Sequence, residues 1–119
     1  MADGHAATGT RSTFACAFEW RSTALAGRLG ADHIVDVPFA FDTITAGLQT
    51  DTSPLSAAPA ARALVQAVHA AWCEFIATGS PGWKPHDVSE RATMMLGQGL
   101  TVAADLFAAQ RAAWTRSPG

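Results

Sequence analysis

Four histidines and two cysteines are the side chains of this sequence best suited to acid–base, nucleophilic or metal chemistry, and their spacing decides which of these is open. His69 and Cys73 stand four apart in a stretch of helical periodicity, a geometry that can chelate zinc. They lie at the edge of that stretch's apolar face, beside Arg62 and Gln66, and no other pair of ligands is spaced to complete a site. No metal is expected. Cys16 and Cys73 match neither a zinc nor a CxxC spacing, so both are expected as buried or half-buried free thiols. His5 falls in an Ala- and Gly-rich tail and His86 in a polar loop, and both are expected in solvent. Gly97-Gln-Gly99 lacks the third glycine and the preceding buried strand of a dinucleotide fingerprint, so it reads as a hairpin turn and no cofactor is expected. A histidine taken in isolation, His33 included, is a surface or satisfied-core residue.

The elements that must position these groups follow from periodicity. Thr13-Phe-Ala-Cys-Ala-Phe-Glu-Trp20 alternates strictly, with Phe14, Cys16, Phe18 and Trp20 on one face, which is a strand signal. Its second face is small rather than strongly polar, as expected where a helix packs on it, and a strand covered on both faces belongs to a larger sheet. Residues 21–30 hold Gly27 and Gly30 and read as an irregular connection. Pro38 has no N–H to donate, so residues 32–41 are expected as a loop or one helical turn, pinned by buried Val37, Phe39 and Phe41. Residues 43–58 form a polar connection. The clearest helix runs from Pro59 to Thr78, with Leu64, Val68, Ala71, Trp72 and Phe75 on one face and Val65 and Ile76 widening it. Pro59 suits its first turn, and Gly79 with Pro81 stops it. Thr93–Leu96 and Leu100–Val102 read as two short strands around a glycine turn. A helix over about 104–115 ends the chain, with Leu106, Phe107 and Trp114 available for packing.

Bulk properties narrow the function classes. The 119 residues allow at most one domain, and no repeat or low-complexity linker marks an internal boundary. Alanine inflates the 49% hydrophobic share, so the six Phe and four Trp must carry much of the packing. The eight Lys and Arg are scattered singly, which excludes the dense basic face that nucleic acid requires and disfavours an anionic membrane surface. No apolar run approaches the roughly 20 residues of a membrane span. Neither a basic n-region nor an apolar h-region is visible at the N-terminus, so a cytoplasmic location is the default expectation.

One segment carries more. After the strand ending at Trp20 comes Gly30-Ala-Asp-His33-Ile-Val-Asp36-Val-Pro38-Phe39-Ala-Phe41-Asp42. This resembles the histidine region of type-B carboxylesterases, the family of bacterial nitrobenzyl-type esterases and cholinesterases, where Gly-x-x-His-x-x-Glu-Leu-Pro-aromatic-x-Phe follows a strand with an aromatic end. Ala71-Trp72-Cys-Glu-Phe75-Ile-Ala-Thr78-Gly79-Ser-Pro81 is similar to that family's Trp-x-x-Phe-Ala-x-Thr-Gly-Asp-Pro helix end. Trp83-Lys-Pro-His86-Asp87, Arg91-Ala-Thr-Met94 and the helix from Arg111 to Trp114 keep the family's order. The resemblance covers nearly the whole chain from about residue 10 to 115.

The resemblance implies an α/β fold: the C-terminal fragment of an α/β-hydrolase, with one central-sheet strand, a histidine loop, a long amphipathic helix, a short β-hairpin and a terminal helix. It implies that His33 is the catalytic histidine of a serine carboxylic ester hydrolase, taking the serine proton and returning it to the leaving alcohol. An imidazole suits that task because it exchanges a proton near neutral pH. Asp36 matches a family carboxylate near the histidine and is expected to order the loop rather than to serve as the triad acid. The nucleophile elbow Gly-x-Ser-x-Gly is missing, since Gly79-Ser80-Pro81-Gly82 has the wrong spacing and follows a helix. In the family, serine and acid precede the histidine, so both are expected upstream of Met1. Substrates would be small-molecule carboxylic esters once that portion is supplied. Asp36 for Glu, Ser80 for Asp and His86 for Tyr are smaller departures. The alternative reading is a non-catalytic, hydrolase-derived module that binds another protein or itself through the uncovered edge of the 13–20 strand.

Overall fold

The computed structural model describes residues 1–9, 12–22, 24–31, 35–44 and 59–116. In chain order the elements are helix α1 (Ala2–Ala7), strand β1 (Ala15–Phe18), a one-turn 3-10 segment (Ala24–Gly27), the short helix α2 (Val37–Ala40), the long helix α3 (Pro59–Thr78), strands β2 (Thr93–Leu96) and β3 (Leu100–Ala103), and helix α4 (Ala108–Thr115).

The three strands form one mixed sheet in the order β1-β2-β3. β1 pairs parallel with β2, Ala15 opposite Thr93 and Phe18 opposite Leu96. β2 pairs antiparallel with β3, Leu96 opposite Leu100, around the expected glycine turn. A parallel pair requires a long crossover, and here the crossover carries α2 and α3. Leu96 accepts a further ladder bond from the Glu19 amide at 2.8 Å, so pairing continues one residue past the end of β1. Thr13 bridges to His86 instead. The strand is therefore shorter than its alternating sequence, because only its middle lies beside β2.

α3 keeps the bounds its sequence signals indicate. Gly79 adopts φ +81°, a left-handed value that suits a residue without Cβ, and its amide reaches the Phe75 carbonyl at 2.8 Å. Ala61, Leu64, Val65 and Val68 form its buried stripe and meet Met94 and Leu96 of β2, with Val35 and Phe39 closing the core. Phe18, Trp20, Trp72 and Trp83 pack against that cluster. The stripe does not run the full helix. Phe75 is 48% and Ile76 81% exposed, so the last turn is not buried with the rest of the stripe.

Other expectations change. Residues 2–7 are helical rather than a loose Ala- and Gly-rich tail, and long-range hydrogen bonds of Asp3 with His86 and Arg91 tie them down. Of the three residues expected to pin the 32–41 segment, Phe39 is fully buried, whereas Val37 and Phe41 are exposed. A single helical turn can direct only one of those positions into the core. Both cysteines are exposed rather than buried. Cys16 lies on the aromatic face of β1 as expected, but in a gap that α2 and α3 leave open. The terminal helix starts at Ala108, later than the expected 104, and Trp114 is 83% exposed instead of packed.

Candidate functional site

His33 lies outside the described residues, so the candidate site is built from the segments on either side of it. On the upstream side Ala24–Gly27 make one turn in which Leu25 and Ala26 hold φ of 52° and 57°. Such left-handed values cost an L-residue roughly 1–2 kcal/mol each, which the surrounding structure must offset. Gly30 takes φ +67°, and its carbonyl accepts the Ser22 amide at 3.1 Å. The approach to His33 is thus stitched back to the end of the β1 segment.

On the downstream side Val35 is buried and the backbone turns directly into α2. The Asp36 carbonyl accepts the amides of Phe39 and Ala40, both at 3.1 Å. Pro38 occupies the first turn, where no N–H is needed. Phe39 then drives into the core, its ring tilted against Trp20 at 5.1 Å between centroids. Asp36 itself is exposed and makes no side-chain capping bond to α2. It stands on the rim of an apolar recess of about 290 Å³ lined by Cys16, Phe18, Val37, Phe41 and Trp72 among others. Desolvation by the recess walls, with a smaller contribution from the Asp36 charge, pushes the Cys16 thiol above its ordinary range. The structure brings Asp36 together with Cys16, a proximity that no spacing rule indicates.

A second recess of about 240 Å³ continues along the same face, between Phe14, Cys16, Trp72, Phe75, Ile76 and Trp83. Phe14 and Phe75 meet there edge to face at 6.0 Å. Among the described residues the outer edge of β1 has no ladder partner, and residues of this edge strand line both recesses.

His86 corrects its expectation most sharply, being 8% exposed rather than solvated. Its Nδ1 lies 3.2 Å from the Ala92 carbonyl and its Nε2 2.9 Å from Asp3 Oδ1. Arg91 Nε donates to the other Asp3 oxygen at 3.1 Å. Hydrogen bonding from His86, then from Arg91, holds the Asp3 carboxyl below the usual carboxylate range. Next to this cluster Arg111 grips Asp105 through two nitrogens, the Nη2–Oδ2 bond at 2.7 Å. No local signal announces the cluster, because Asp3 and His86 are 83 positions apart. His5 meets its expectation of exposure, with Thr13 Oγ1 at 2.5 Å from Nδ1.

His69 and Cys73 do come together, their Nε2 and Sγ 3.5 Å apart. Among the described residues no group of three or more His, Cys, Asp and Glu is placed to hold a metal ion. No described helix is long and apolar enough to cross a membrane.

This mixed sheet with its crossover helix matches a fragment of the α/β-hydrolase fold, as expected for the C-terminal part of that fold. The solved structures it resembles are esterases. It matches a PNB esterase at TM-score 0.74 and 21% identity, over 94% of this chain and 23% of that one. A thermophilic PNB esterase matches at TM-score 0.78 and 20% identity, over 93% of this chain and 23% of that one. A carboxylesterase of Geobacillus stearothermophilus matches at TM-score 0.75 and 26% identity, over 95% of this chain and 24% of that one. The chain therefore spans about a quarter of the solved proteins it is similar to, and the likeness supports an esterase-like origin. No family model matches the sequence.

Proposed function

We propose that this chain is the C-terminal portion of a serine carboxylic ester hydrolase of the type-B carboxylesterase kind, supplying the general-base histidine as His33. The observation that carries the reading is the likeness to esterases over 93–95% of the chain, joined to the Gly30-x-x-His33-x-x-Asp36-x-Pro38-Phe39 motif. Nucleophile and acid are not in this chain's motifs and would come from an N-terminal portion. His33 would take the serine hydroxyl proton as the alkoxide attacks the ester carbonyl, then protonate the departing alcohol. Asp36 is assigned to loop order: its carbonyl starts α2, and its carboxylate stands at the recess rim.

The test is a chimera in which residues 1–119 replace the matching quarter of the Geobacillus stearothermophilus carboxylesterase. Hydrolysis of a short-chain aryl ester is expected, and His33→Ala should lower kcat by at least about 10³-fold, as loss of a triad base does elsewhere. Asp36→Asn should lower it far less. Undiminished turnover in the His33→Ala chimera would remove the assignment.

One observation favours a second reading, a non-catalytic module that associates through this face. The edge of β1, unpaired among the described residues, lies beside exposed Phe75 and Ile76, the pattern of a surface that pairs or aggregates.

A further inference from the structure

His69 makes a bond that settles its tautomer. Its Nδ1 lies 2.8 Å from the carbonyl oxygen of Ala40, at the end of α2. A carbonyl can only accept, so Nδ1 carries the proton and donates it. In the neutral ring Nε2 then holds the free lone pair. That lone pair faces Cys73 Sγ at 3.5 Å, one helical turn further along α3. The thiol is exposed, while the imidazole is half-buried and gripped from behind. Nucleophile, base and a third group orienting the base are thus in line, the arrangement that activates a cysteine.

We propose that Cys73 is a thiol-modification site, activated by His69, for small disulfides of the glutathione type. In the reaction the Cys73 proton passes to His69 Nε2 and the sulfur attacks one sulfur of the disulfide. The disulfide's S–S bond breaks as a new one forms to Cys73. The displaced thiolate takes the proton back from the imidazolium and departs as a free thiol. One thiol and one disulfide enter and one of each leaves, so no further oxidant is needed. The site lies on α3 against the end of α2, and its thiol chemistry does not depend on the esterase reading.

The second cysteine provides an internal control. Cys16 is also exposed, but it faces the apolar walls of its recess and the Asp36 carboxylate, both of which disfavour the thiolate. The two thiols of one chain therefore differ in surroundings, Cys16 lying in a recess and Cys73 beside an imidazole.

The experiment incubates the 119-residue chain with glutathione disulfide at neutral pH and follows each cysteine by peptide mapping with mass spectrometry. Cys73 is expected to form the mixed disulfide at least about tenfold faster than Cys16. His69→Gln should bring the Cys73 rate down to within about threefold of that of Cys16 and leave Cys16 unchanged. A rise at both cysteines in the variant would report unfolding, in which case the wild-type ratio alone decides. Equal rates in the wild-type chain overturn the proposal, as does a folded His69→Gln chain with an undiminished Cys73 rate.

Discussion

Phe39 meets Phe18 edge to face, with ring centroids 5.0 Å apart and planes at 72°. This contact ties the segment after His33 to the strand before it, across two elements of opposite character. Phe39 is fully buried, and its neighbour Phe41, two residues on, is largely exposed. Phe39→Ala should cost about 3–5 kcal/mol of stability, the range for a buried aromatic truncated in a packed core. Phe41→Ala should stay within about 0.5 kcal/mol. Chemical denaturation of both variants checks the difference, and equal losses would mean that α2 is not anchored through Phe39.

Helix α3 carries the same contrast along its own length. Leu64 is buried in the core with Met94 and Leu96 of β2, while Ile76 is largely exposed. Leu64→Ala should destabilise by about 2–5 kcal/mol. Ile76→Lys should leave the melting temperature almost unchanged and instead reduce concentration-dependent association on sizing chromatography. Association equally strong in that variant would place the self-contact elsewhere than on the Phe75–Ile76 end of the helix.

Acid should loosen the protein through carboxylates that the fold keeps ionised. Asp87 accepts the Ser89 hydroxyl at 2.6 Å and the amides of Glu90 and Ser89 at 2.7 and 2.8 Å. These bonds, the hydroxyl's first, hold its pKa down at about 2, below the ordinary 3.8. A depressed folded-state value stabilises the native state above the unfolded value, and that contribution disappears as pH falls from near 4 through about 2. Asp3 and Asp105, lowered by His86 and Arg111 respectively, act in the same direction. Melting curves across that window should show a shallower acid slope for Asp87→Ala than for the wild type. Because these groups face solvent, the slope should also weaken in about 1 M salt. An unchanged slope would show that the Asp87 turn is equally formed in the unfolded chain.

The His33 segment shows why a motif and its geometry are different kinds of information. The order of Gly30, Asp36, Pro38 and the apolar residues around it was legible as a motif, and Pro38 marked a turn through its fixed φ. The left-handed turn at Gly30 and the helix start at Asp36, by contrast, belong to the structure. Which of Val37, Phe39 and Phe41 becomes the apolar anchor was not readable. A four-residue helix has no period long enough to declare a face. His86 was misread for a related reason, since a polar loop sequence says nothing of an aspartate 83 residues away that covers it.

Taken alone, the sequence determined the bounds of α3, the turn between β2 and β3, and the alternating face of β1. Those features depend on spacing, capping and turn chemistry within a few residues. The tertiary structure alone decided that β1 lies parallel to β2, that α1 is held by Asp3 against His86 and Arg91, and that the aromatic face opens at Cys16. It also decided that a carbonyl on α2 orients the imidazole facing Cys73. Each of these is a pairing between distant segments, and its free energy depends on which surfaces exclude water together. No local pattern encodes that.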